Sequence, residues 1–511
     1  MPAGSEGVRQ GPRASALVLL VIAAFTGARL ALGPYVGLSV DESYAVVMSR
    51  HLAPSYFDHP PILFWLPGIA ARLFGGEDAF LVRLPFLILF MGTTWLLYRI
   101  GARLFGERAG LLTALLLNLV LFFSLNAATL ILPDGPLLFF EAAAGLAAIE
   151  ALSRPDDLSP FCLFGICAGL ALLSKYHGVF LLAGVFAFLL TSPRHWGLLR
   201  RPGPYLALGI AILVFTPVLY WNATHAWASF RFQGGRAQPL DPENDTPFWG
   251  SLAGQAAWML PWIWIPLLVV LVLVLRKGPR DESRWLLACL GAGPIVFFTA
   301  VTLFGRRGLP HWQAPGYFWL LPLLGAAVSE RLNGRAFWTR AWLLGSVVAL
   351  PVLFLLVGAQ ARAGILGRRF PALLERGDPT IDLLSWRPVA RELHKWGYPK
   401  PGLLVVGATW VDAAKLGYAL GPTVPIASVG GDPRGFDFVT PQGSLVGQNV
   451  LLVATRRSGF MEPMAAYAPY FAHITAIGTV PIRRAGVEEI AVSVYLCEGL
   501  LRPVPPTTRV R

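Results

Sequence analysis

The residues best suited to chemistry in this sequence are carboxylates and an imidazole that follow the first long apolar segment. Asp41-Glu42 comes shortly after that segment, and Asp58-His59 follows in the same loop. Charge at the edge of a membrane is costly, so ionisable residues kept there often have a function. A partly desolvated carboxylate can serve as a general base, which makes Asp41, with Glu42 beside it, our candidate catalytic group. The alternative is that both acids only cap a helix that begins near Ser43.

The composition is typical of a membrane protein with many spans. Of the 511 residues, 55% are hydrophobic and 14% are charged, whereas a soluble domain carries about 25% charged residues. The apolar residues form blocks of about 20, which is long enough to cross the hydrocarbon core as a helix. We predict eleven spans, at residues 14–33, 79–98, 109–131, 134–152, 160–174, 177–191, 204–221, 253–275, 285–304, 314–330 and 341–358.

The distribution of basic residues orients these spans. The net charge of +13 comes mainly from arginines in short loops between apolar blocks. This is the pattern of a positive-inside bias, and it argues against nucleic acid as a partner. If every span crosses once, the arginine-rich loops share the cytoplasmic side. The acidic and imidazole groups then collect on the outer side.

Further polar residues are expected on that outer face. Asp134 begins a helix there and is a further candidate catalytic residue beside Asp41 and Glu42. Lys175, Arg306 and Arg307 follow the ends of spans. Such cations often do no more than anchor a helix end at the interface. Together, however, they provide a point charge and guanidinium forks that suit a lipid-linked phosphate. We expect substrate contacts from other polar and aromatic residues of this face, namely Tyr44, His59, Tyr176, His177, Arg231, Arg236 and His311.

A divalent metal is an open alternative at this face. Asp58 and His225 supply a carboxylate and an imidazole, a pair that suits zinc or manganese. Two ligands are an incomplete set, and the sequence requires no other cofactor.

Two domains are predicted. Residues 1–360 form an all-α transmembrane domain, whose first outer loop contains short amphipathic helices at 42–52 and 61–74. Residues 361–511 form a small α/β domain on the outer side, because short apolar runs alternate there with helical patterns. We predict helices at 386–396 and 411–420 and strands at 402–407 and 450–454 in this domain.

Several motifs resemble those of a known family. They are Asp41-Glu42-Ser43-Tyr44, Asp58-His59-Pro60-Pro61, Pro133-Asp134-Gly135-Pro136-Leu137, Gly169-Leu-Ala-Leu-Leu-Ser-Lys175-Tyr176, Trp221-Asn222 and Ser229-Phe-Arg-Phe-Gln233. In this order they resemble the bacterial integral-membrane glycosyltransferases of the GT-C superfamily. The nearest relatives would be protein O-mannosyltransferase-like enzymes and lipid A aminoarabinose transferases.

The resemblance implies an activity and residue roles. Such enzymes move a sugar from a polyprenyl-phosphate carrier to a lipid A, glycan or protein acceptor at the periplasmic face of the bacterial inner membrane. Asp41 falls on the first-loop acid of the family, Asp134 on its second acidic position, and Lys175 on a position that meets the carrier phosphate. Direct displacement would invert the configuration at the anomeric carbon.

Two other functions are weighed against glycosyl transfer. A transporter or flippase of lipid-linked glycans would place charges near the midplane of the membrane, where Glu141 is the one clear acidic residue. A non-catalytic scaffold would leave the outward charges without a role.

Overall fold

The computed structural model describes residues 12–32, 36–236, 239, 248–334, 336–370, 374, 377–455 and 463–505. The chain divides into two compact units. The first comprises Met1–Ala31, His59–Leu63 and Leu84–Val352, and the second comprises Leu32–Asp58, Phe64–Arg83 and Leu353–Arg511. The second unit thus includes parts of the first loop as well as the C-terminal residues. The predicted domain boundary at residue 360 stays a prediction.

The protein is mostly helical, as predicted. Within the described residues the α-helices are α1 Pro12–Leu32, α2 Val40–Ser49, α3 Ile62–Phe74, α4 Ala79–Phe105, α5 Glu107–Leu119, α6 Asp134–Ser153, α7 Ser159–Ser174, α8 Val179–Thr191, α9 Pro202–Thr224, α10 Ala228–Gly235, α11 Phe248–Met259, α12 Pro261–Lys277, α13 Glu282–Leu303, α14 Ala314–Arg331, α15 Phe337–Ala363, α16 Ile365–Arg369, α17 Arg387–Lys395, α18 Trp410–Leu420, α19 Phe436–Val439 and α20 Pro463–Tyr467. Helices α2 and α3 confirm the two short helices predicted in the first loop.

Seven helices in the described part of the chain are long and apolar enough to cross a membrane. A helical pair bent by 113°, Tyr176–Thr191 with Pro193–Arg200, would make an eighth if it is one span. The protein is therefore an integral membrane protein, while the predicted number of eleven spans is not confirmed. The seven segments are Arg13–Ala31, Ala79–Phe105, Asp134–Ser153, Pro202–Thr224, Pro261–Arg280, Glu282–Leu303 and Phe337–Ala363.

The span predicted at 109–131 is not one continuous α-helix. Helix α5 ends at Leu119, and a π-helical turn follows at Phe123–Ala127. The buried guanidinium of Arg29 donates hydrogen bonds to the Ser124 carbonyl at 3.0 Å and to the Ser124 hydroxyl at 2.7 Å. A break inside a membrane protein leaves backbone groups without their helical partners, and such groups need others. Arg29 supplies one at this break.

The span predicted at 253–275 is also divided. Helix α11 ends at Met259, Leu260 has a φ of 64°, and α12 begins at Pro261. Proline lacks the N–H that a continuing helix would use, and its ring clashes with the preceding turn. At the first position of a helix neither cost applies. Pro261 therefore ends one helix and begins the next.

The second unit contains a five-stranded mixed sheet. Its strands are β1 Leu404–Gly407, β2 Ile426–Ser428, β3 Val450–Thr455, β4 Phe471–Arg484 and β5 Val487–Leu500, in the spatial order β2-β1-β3-β5-β4. Strand β1 is parallel to β2 and β3, whereas β5 is antiparallel to β3 and β4.

This sheet has a continuous apolar core and confirms the predicted α/β domain. Val406, Leu452 and Cys497 are fully buried in that core. The predicted helices and strands of residues 386–454 correspond to α17, β1, α18 and β3. Strand β2 and the long β4–β5 hairpin were not predicted.

Packing of helix α18 against β1 depends on Gly407. A Cβ atom at this position would lie 2.2 Å from the backbone nitrogen of Ala413 and 2.6 Å from its Cα. Backbone atoms cannot rotate away as a side chain could, so the helix or the strand would have to move.

We therefore expect Gly407→Ala to destabilise the second unit by about 1–3 kcal/mol, the usual range for overpacking. The rate of limited proteolysis of the full-length protein within residues 377–505, followed against temperature, measures this effect. Gly443→Ala is the control, because nothing lies within 4 Å of a Cβ at Gly443. Equal proteolysis of the two variants would contradict the proposed packing constraint.

Candidate active site

The first unit contains a buried ion pair between two of the predicted site residues. The Lys175 ammonium lies 2.8 Å from the Asp134 carboxylate, and the two side chains are only 7% and 6% exposed. Charges this far from water are stable only when they are paired and well bonded. The structure thus brings together the two residues that the sequence assigned to an acidic and a cationic role.

Local structure explains how this pair is held. Asp134 is the first residue of α6, and Lys175 follows the last residue of α7 in an extended conformation, with φ −156° and ψ 140°. A carboxylate suits the positive end of a helix dipole and an ammonium suits the negative end. The chain then turns through Tyr176–Gly178 into α8. A Cβ at Gly178 would lie 2.8 Å from the Ala171 backbone, so the tight turn requires glycine there.

More basic residues surround this ion pair. His177 is within electrostatic reach of Lys175, Arg236, His311 and His59, all in the first unit. These five residues are called the basic cluster below. Lys175 and His177 follow α7, Arg236 follows α10, His311 lies between α13 and α14, and His59 precedes α3. The fold collects these distant positions at one place.

Aromatic rings pack against the basic cluster. The His177 ring stacks on Phe298 with centroids 4.8 Å apart, and His311 lies parallel to Phe122 at 6.1 Å. The Arg236 guanidinium lies over Trp312, 5.4 Å from the ring centroid. The rings limit the access of water, which strengthens electrostatic interactions with any anion bound there.

Burial sets the protonation of His311. Desolvation, aided by the positive charges of Lys175 and Arg236 and opposed by Asp134, lowers the pKa of His311 to about 4. The imidazole is therefore neutral at pH 7, and one ring nitrogen can donate a hydrogen bond without adding charge.

The Trp221-Asn222 and Ser229-to-Gln233 motifs build a turn. The Asn222 side-chain oxygen accepts a hydrogen bond from the Phe230 backbone N–H at 3.3 Å, and the Ser229 hydroxyl lies 2.6 Å from the Tyr176 hydroxyl. His225 stacks on Trp221 with centroids 4.3 Å apart. Contacts of this kind fix α10, which precedes Arg236. Tyr176 therefore has a positioning contact, and its predicted role in substrate binding stays a prediction.

The other cations that the sequence assigned to the site, Arg231, Arg306 and Arg307, are more accessible to solvent than Lys175. Arg231 and Arg306 are exposed and Arg307 is half-buried. Arg306 forms an isolated antiparallel bridge with Pro239. Their predicted contacts with a donor phosphate or a substrate stay predictions.

In the second unit, Glu42 and Asp41 lie in different environments. Glu42 is fully buried and forms a bidentate pair with Arg83, with both N–O distances at 2.7 Å. Its carboxylate also accepts from the Ser39 backbone N–H at 2.8 Å, which completes a capping box at the start of α2. The capping alternative thus holds for Glu42. Asp41, by contrast, is exposed.

Tyr44 and Asp58 share a buried network with Arg434, a residue that the sequence did not single out. The Tyr44 hydroxyl donates to Asp58 at 3.0 Å and accepts from the Gly435 N–H at 3.1 Å. The Arg434 guanidinium lies 3.6 Å from the centroid of Trp410 and 3.9 Å from Asp58. Burial raises the pKa of Asp58, and Arg434 and Tyr44 oppose that rise.

The backbone conformation of Arg434 is also unusual. Its φ of 48° is uncommon for a residue other than glycine. The turn residues Gly430-Gly431-Asp432-Pro433 could have indicated a special loop. Nothing in the sequence pairs this loop with Asp58.

Few potential metal ligands lie close together in the described part of the chain. No group of three or more His, Cys, Asp or Glu residues is placed to hold an ion there. Asp58 belongs to the second unit and is engaged by Tyr44 and Arg434, whereas His225 belongs to the first. A divalent metal at Asp58 and His225 stays a prediction.

The apolar helices, the small sheet domain and the motifs are shared with known proteins. Residues 58–221 match the family profile described as dolichyl-phosphate-mannose-protein mannosyltransferase. The predicted resemblance to integral-membrane glycosyltransferases of the GT-C type is thereby confirmed.

Particular proteins of this class are similar to the chain. It is 26% identical over 321 residues to the lipid A galacturonosyltransferase RgtD of Rhizobium johnstonii, an alignment that covers 58% of this chain and 64% of that protein. It is 24% identical over 376 residues to undecaprenyl phosphate-alpha-4-amino-4-deoxy-L-arabinose arabinosyl transferase 2 of Pseudomonas fluorescens, covering 69% of this chain and 65% of that one. The chain thus spans just under two thirds of the length of either relative.

A solved structure shares the fold. The crystal structure of ArnT from Cupriavidus metallidurans bound to undecaprenyl phosphate superposes with a TM-score of 0.63 at 20% identity, covering 94% of this chain and 98% of that one. At this identity the likeness establishes the fold alone.

The low pKa of His311 predicts a dependence of stability on pH. The unfolded-state pKa is near 6.5 and the folded-state value is about 4, so the unfolded state binds more protons between these values. The contribution of neutral His311 to the free energy of unfolding is therefore fully present above pH 6.5. It falls as the pH is lowered toward 4, by at most about 1.4 kcal/mol per pH unit for one such group.

We expect His311→Gln to make this loss shallower, as measured by the thermal unfolding midpoint of purified protein from pH 7.5 to 4. His394→Gln is the control, because His394 is exposed. Parallel pH profiles for wild type and His311→Gln would contradict a neutral, buried His311.

Proposed function

We propose that the protein transfers a sugar from a polyprenyl-phosphate donor to an acceptor on a lipid, a glycan or a protein. The observation that carries this function is the basic cluster around the buried Lys175–Asp134 pair, in a membrane protein with the GT-C fold. A lipid-linked phosphate is an anion that must be bound beside the hydrocarbon core, which is where such a cluster is useful. The names of the two relatives, which refer to lipid A and to an undecaprenyl-phosphate sugar, support this class of donor and acceptor.

The chemistry follows from the groups in the cluster. Asp134 neutralises much of the charge of Lys175, so Arg236 provides a further positive charge and neutral His311 provides a hydrogen-bond donor. As the bond between the anomeric carbon and the phosphate oxygen breaks, negative charge develops on the departing polyprenyl phosphate. Preorganised cations and donors stabilise that charge without rearranging.

Asp41 is our candidate for the base. The acceptor oxygen forms a bond to the anomeric carbon as the phosphate leaves, and the acceptor proton passes to the carboxylate of Asp41. Displacement in a single step inverts the anomeric configuration. We favour Asp41 for this role because the motif Asp41-Glu42-Ser43-Tyr44 resembles that of the GT-C enzymes and because its side chain is exposed. Glu42 is already engaged by Arg83 and Ser39, so we assign it to positioning α2.

We also propose on which face of the membrane the reaction takes place. We place the reaction at the periplasmic face of the bacterial inner membrane, because the arginine-rich loops predict the opposite face to be cytoplasmic. The flippase alternative has no support from the family profile or from the named relatives, which are transferases.

Transfer by the purified protein tests this function. The protein in detergent is supplied with a panel of radiolabelled polyprenyl-phosphate sugars and with total envelope acceptors. Label that moves from one donor to an acceptor is the expected result, and the responding donor names the sugar. Folded protein that transfers no label from any donor would count against the proposal.

We expect Asp41→Asn to lower the rate of that transfer by at least about 100-fold, the lower range for loss of a general base, with normal folding and membrane insertion. Glu488→Gln is the matched control, since Glu488 is an exposed carboxylate in β5. An active Asp41→Asn enzyme would remove Asp41 from the role of base while leaving the reaction class intact.

A further inference from the structure

We propose that the first unit holds an anionic phospholipid in an apolar cleft, with one acyl chain inside the cleft and the headgroup phosphate at Arg200. This site is separate from the basic cluster and does not depend on the proposed transferase activity.

The cleft lies among four helices, α6 to α9, and has a volume of about 400 Å³. The 3-10 helix Pro193–Arg200, which follows α8, folds back and contributes Leu198 and Leu199 to the lining. Other lining residues include Ala148, Phe161 and Phe186. The lining is almost wholly hydrocarbon, so the cleft suits an alkyl chain and no polar ligand of similar size.

The cleft is bounded by helices that already touch. A Cβ at Gly165 would lie 2.5 Å from the Ala207 carbonyl oxygen, and a Cβ at Gly203 would lie 2.8 Å from the Phe161 ring. Helices α7 and α9 are therefore in close contact along one side and cannot move nearer to fill the space. A flexible chain from the surrounding lipid can fill it instead.

Aromatic residues place the rim at the level of lipid headgroups. Trp196 and Tyr205 are 54% and 61% exposed. The Trp196 indole N–H donates to the Leu190 carbonyl at 2.9 Å, and the Tyr205 hydroxyl donates to the Leu199 carbonyl at 2.7 Å. Amphipathic rings of this type are enriched at the membrane interface. The apolar interior of the cleft would then face the acyl chains.

Basic residues at the rim indicate a negatively charged headgroup. Arg194, Arg200 and Arg201 lie on or next to the 3-10 helix. Arg194 faces Glu282 at 3.3 Å, and Arg201 pairs with Asp156. Arg200 is exposed and directly follows the two lining leucines. Basic pockets between transmembrane helices are a known way of recognising anionic lipid headgroups.

This lipid is distinct from the proposed donor. Phe161 of the cleft and Lys175 of the basic cluster lie at opposite ends of α7, about 21 Å apart at the helical rise per residue. One phosphate cannot occupy both positions. The phosphate at Arg200 therefore belongs to a second lipid, which would support the α7–α8 hairpin from the end opposite Lys175.

Lipid binding by the delipidated full-length protein tests the site. Native mass spectrometry measures retention of phosphatidylglycerol, phosphatidylethanolamine or undecaprenyl phosphate, each added alone and in competition. We expect phosphatidylglycerol to be retained in preference to phosphatidylethanolamine. Equal retention of the two phospholipids, or displacement of phosphatidylglycerol by equimolar undecaprenyl phosphate, would overturn the proposal.

Two variants locate the bound lipid. Ala183 is an exposed lining residue of α8, so Ala183→Trp should fill the cleft and abolish retention. Leu213→Trp, at an exposed position of α9 outside the lining, is its control and should retain the lipid.

The headgroup is tested separately. Arg200→Gln should weaken phosphatidylglycerol binding about fivefold, as for loss of one basic group at a lipid surface. Arg340→Gln, at another exposed arginine, is its control.

Folded Ala183→Trp with wild-type retention would overturn the cleft as the site. If that variant does not fold, the comparison of Arg200→Gln with Arg340→Gln still tests the site, because both substitutions are at exposed positions. Equal phosphatidylglycerol binding by these two would overturn the assignment of the headgroup to Arg200.

Discussion

The arrangement of the candidate site in the first unit depends on the burial of Lys175 and Asp134 as an ion pair. Each charge is tolerable only because the other lies 2.8 Å away, and loss of one partner from a buried pair typically costs about 3–5 kcal/mol. The pair therefore fixes the start of α6 against the end of α7. The turn at Gly178 and the helix α10 carry His177 and Arg236, so the positions of these side chains follow from the same constraint. An anion that enters meets cations and donors that are already in place.

Long apolar segments were predictable because hydrophobic blocks of span length have few alternative structures in a membrane protein. The interruptions were not. Pro261 could have shown that 253–275 is two helices, since proline ends the preceding helix. The break after Leu119 depends on Arg29, 95 residues from its partner Ser124, and no local pattern records such a contact. The β4–β5 hairpin had a local signal in Ala485-Gly486, whose φ values of 48° and 84° form its turn. Within β5 the alternation of side chains was obscured because both faces carry apolar residues.

For the candidate site, the sequence predicted residue types and the face on which they lie, but it could not distinguish exposed side chains from buried ones. Asp41 and Glu42 are adjacent in the chain, yet one is exposed and the other is buried against Arg83. Lys175 and Asp134 were assigned separate roles, and their direct pairing appears only in the fold. Arg434 was missed because it reaches Asp58 from a loop 376 positions away in the chain. Contacts between distant positions leave no periodicity in a single sequence, so the partners of ionisable residues were the least predictable part.

Binding of the donor lipid by the Lys175–Asp134 pair can be measured as the affinity for undecaprenyl phosphate of wild type, of Lys175→Arg and of the double variant Lys175→Met/Asp134→Asn. The double variant removes both charges together, so no uncompensated charge remains buried and folding can be kept. If Lys175 and its neighbours bind the donor phosphate, the double variant should bind at least about tenfold more weakly, as for loss of one charged hydrogen bond, and Lys175→Arg should retain part of the affinity. Wild-type affinity in a folded double variant would show that this buried pair does not bind the donor phosphate.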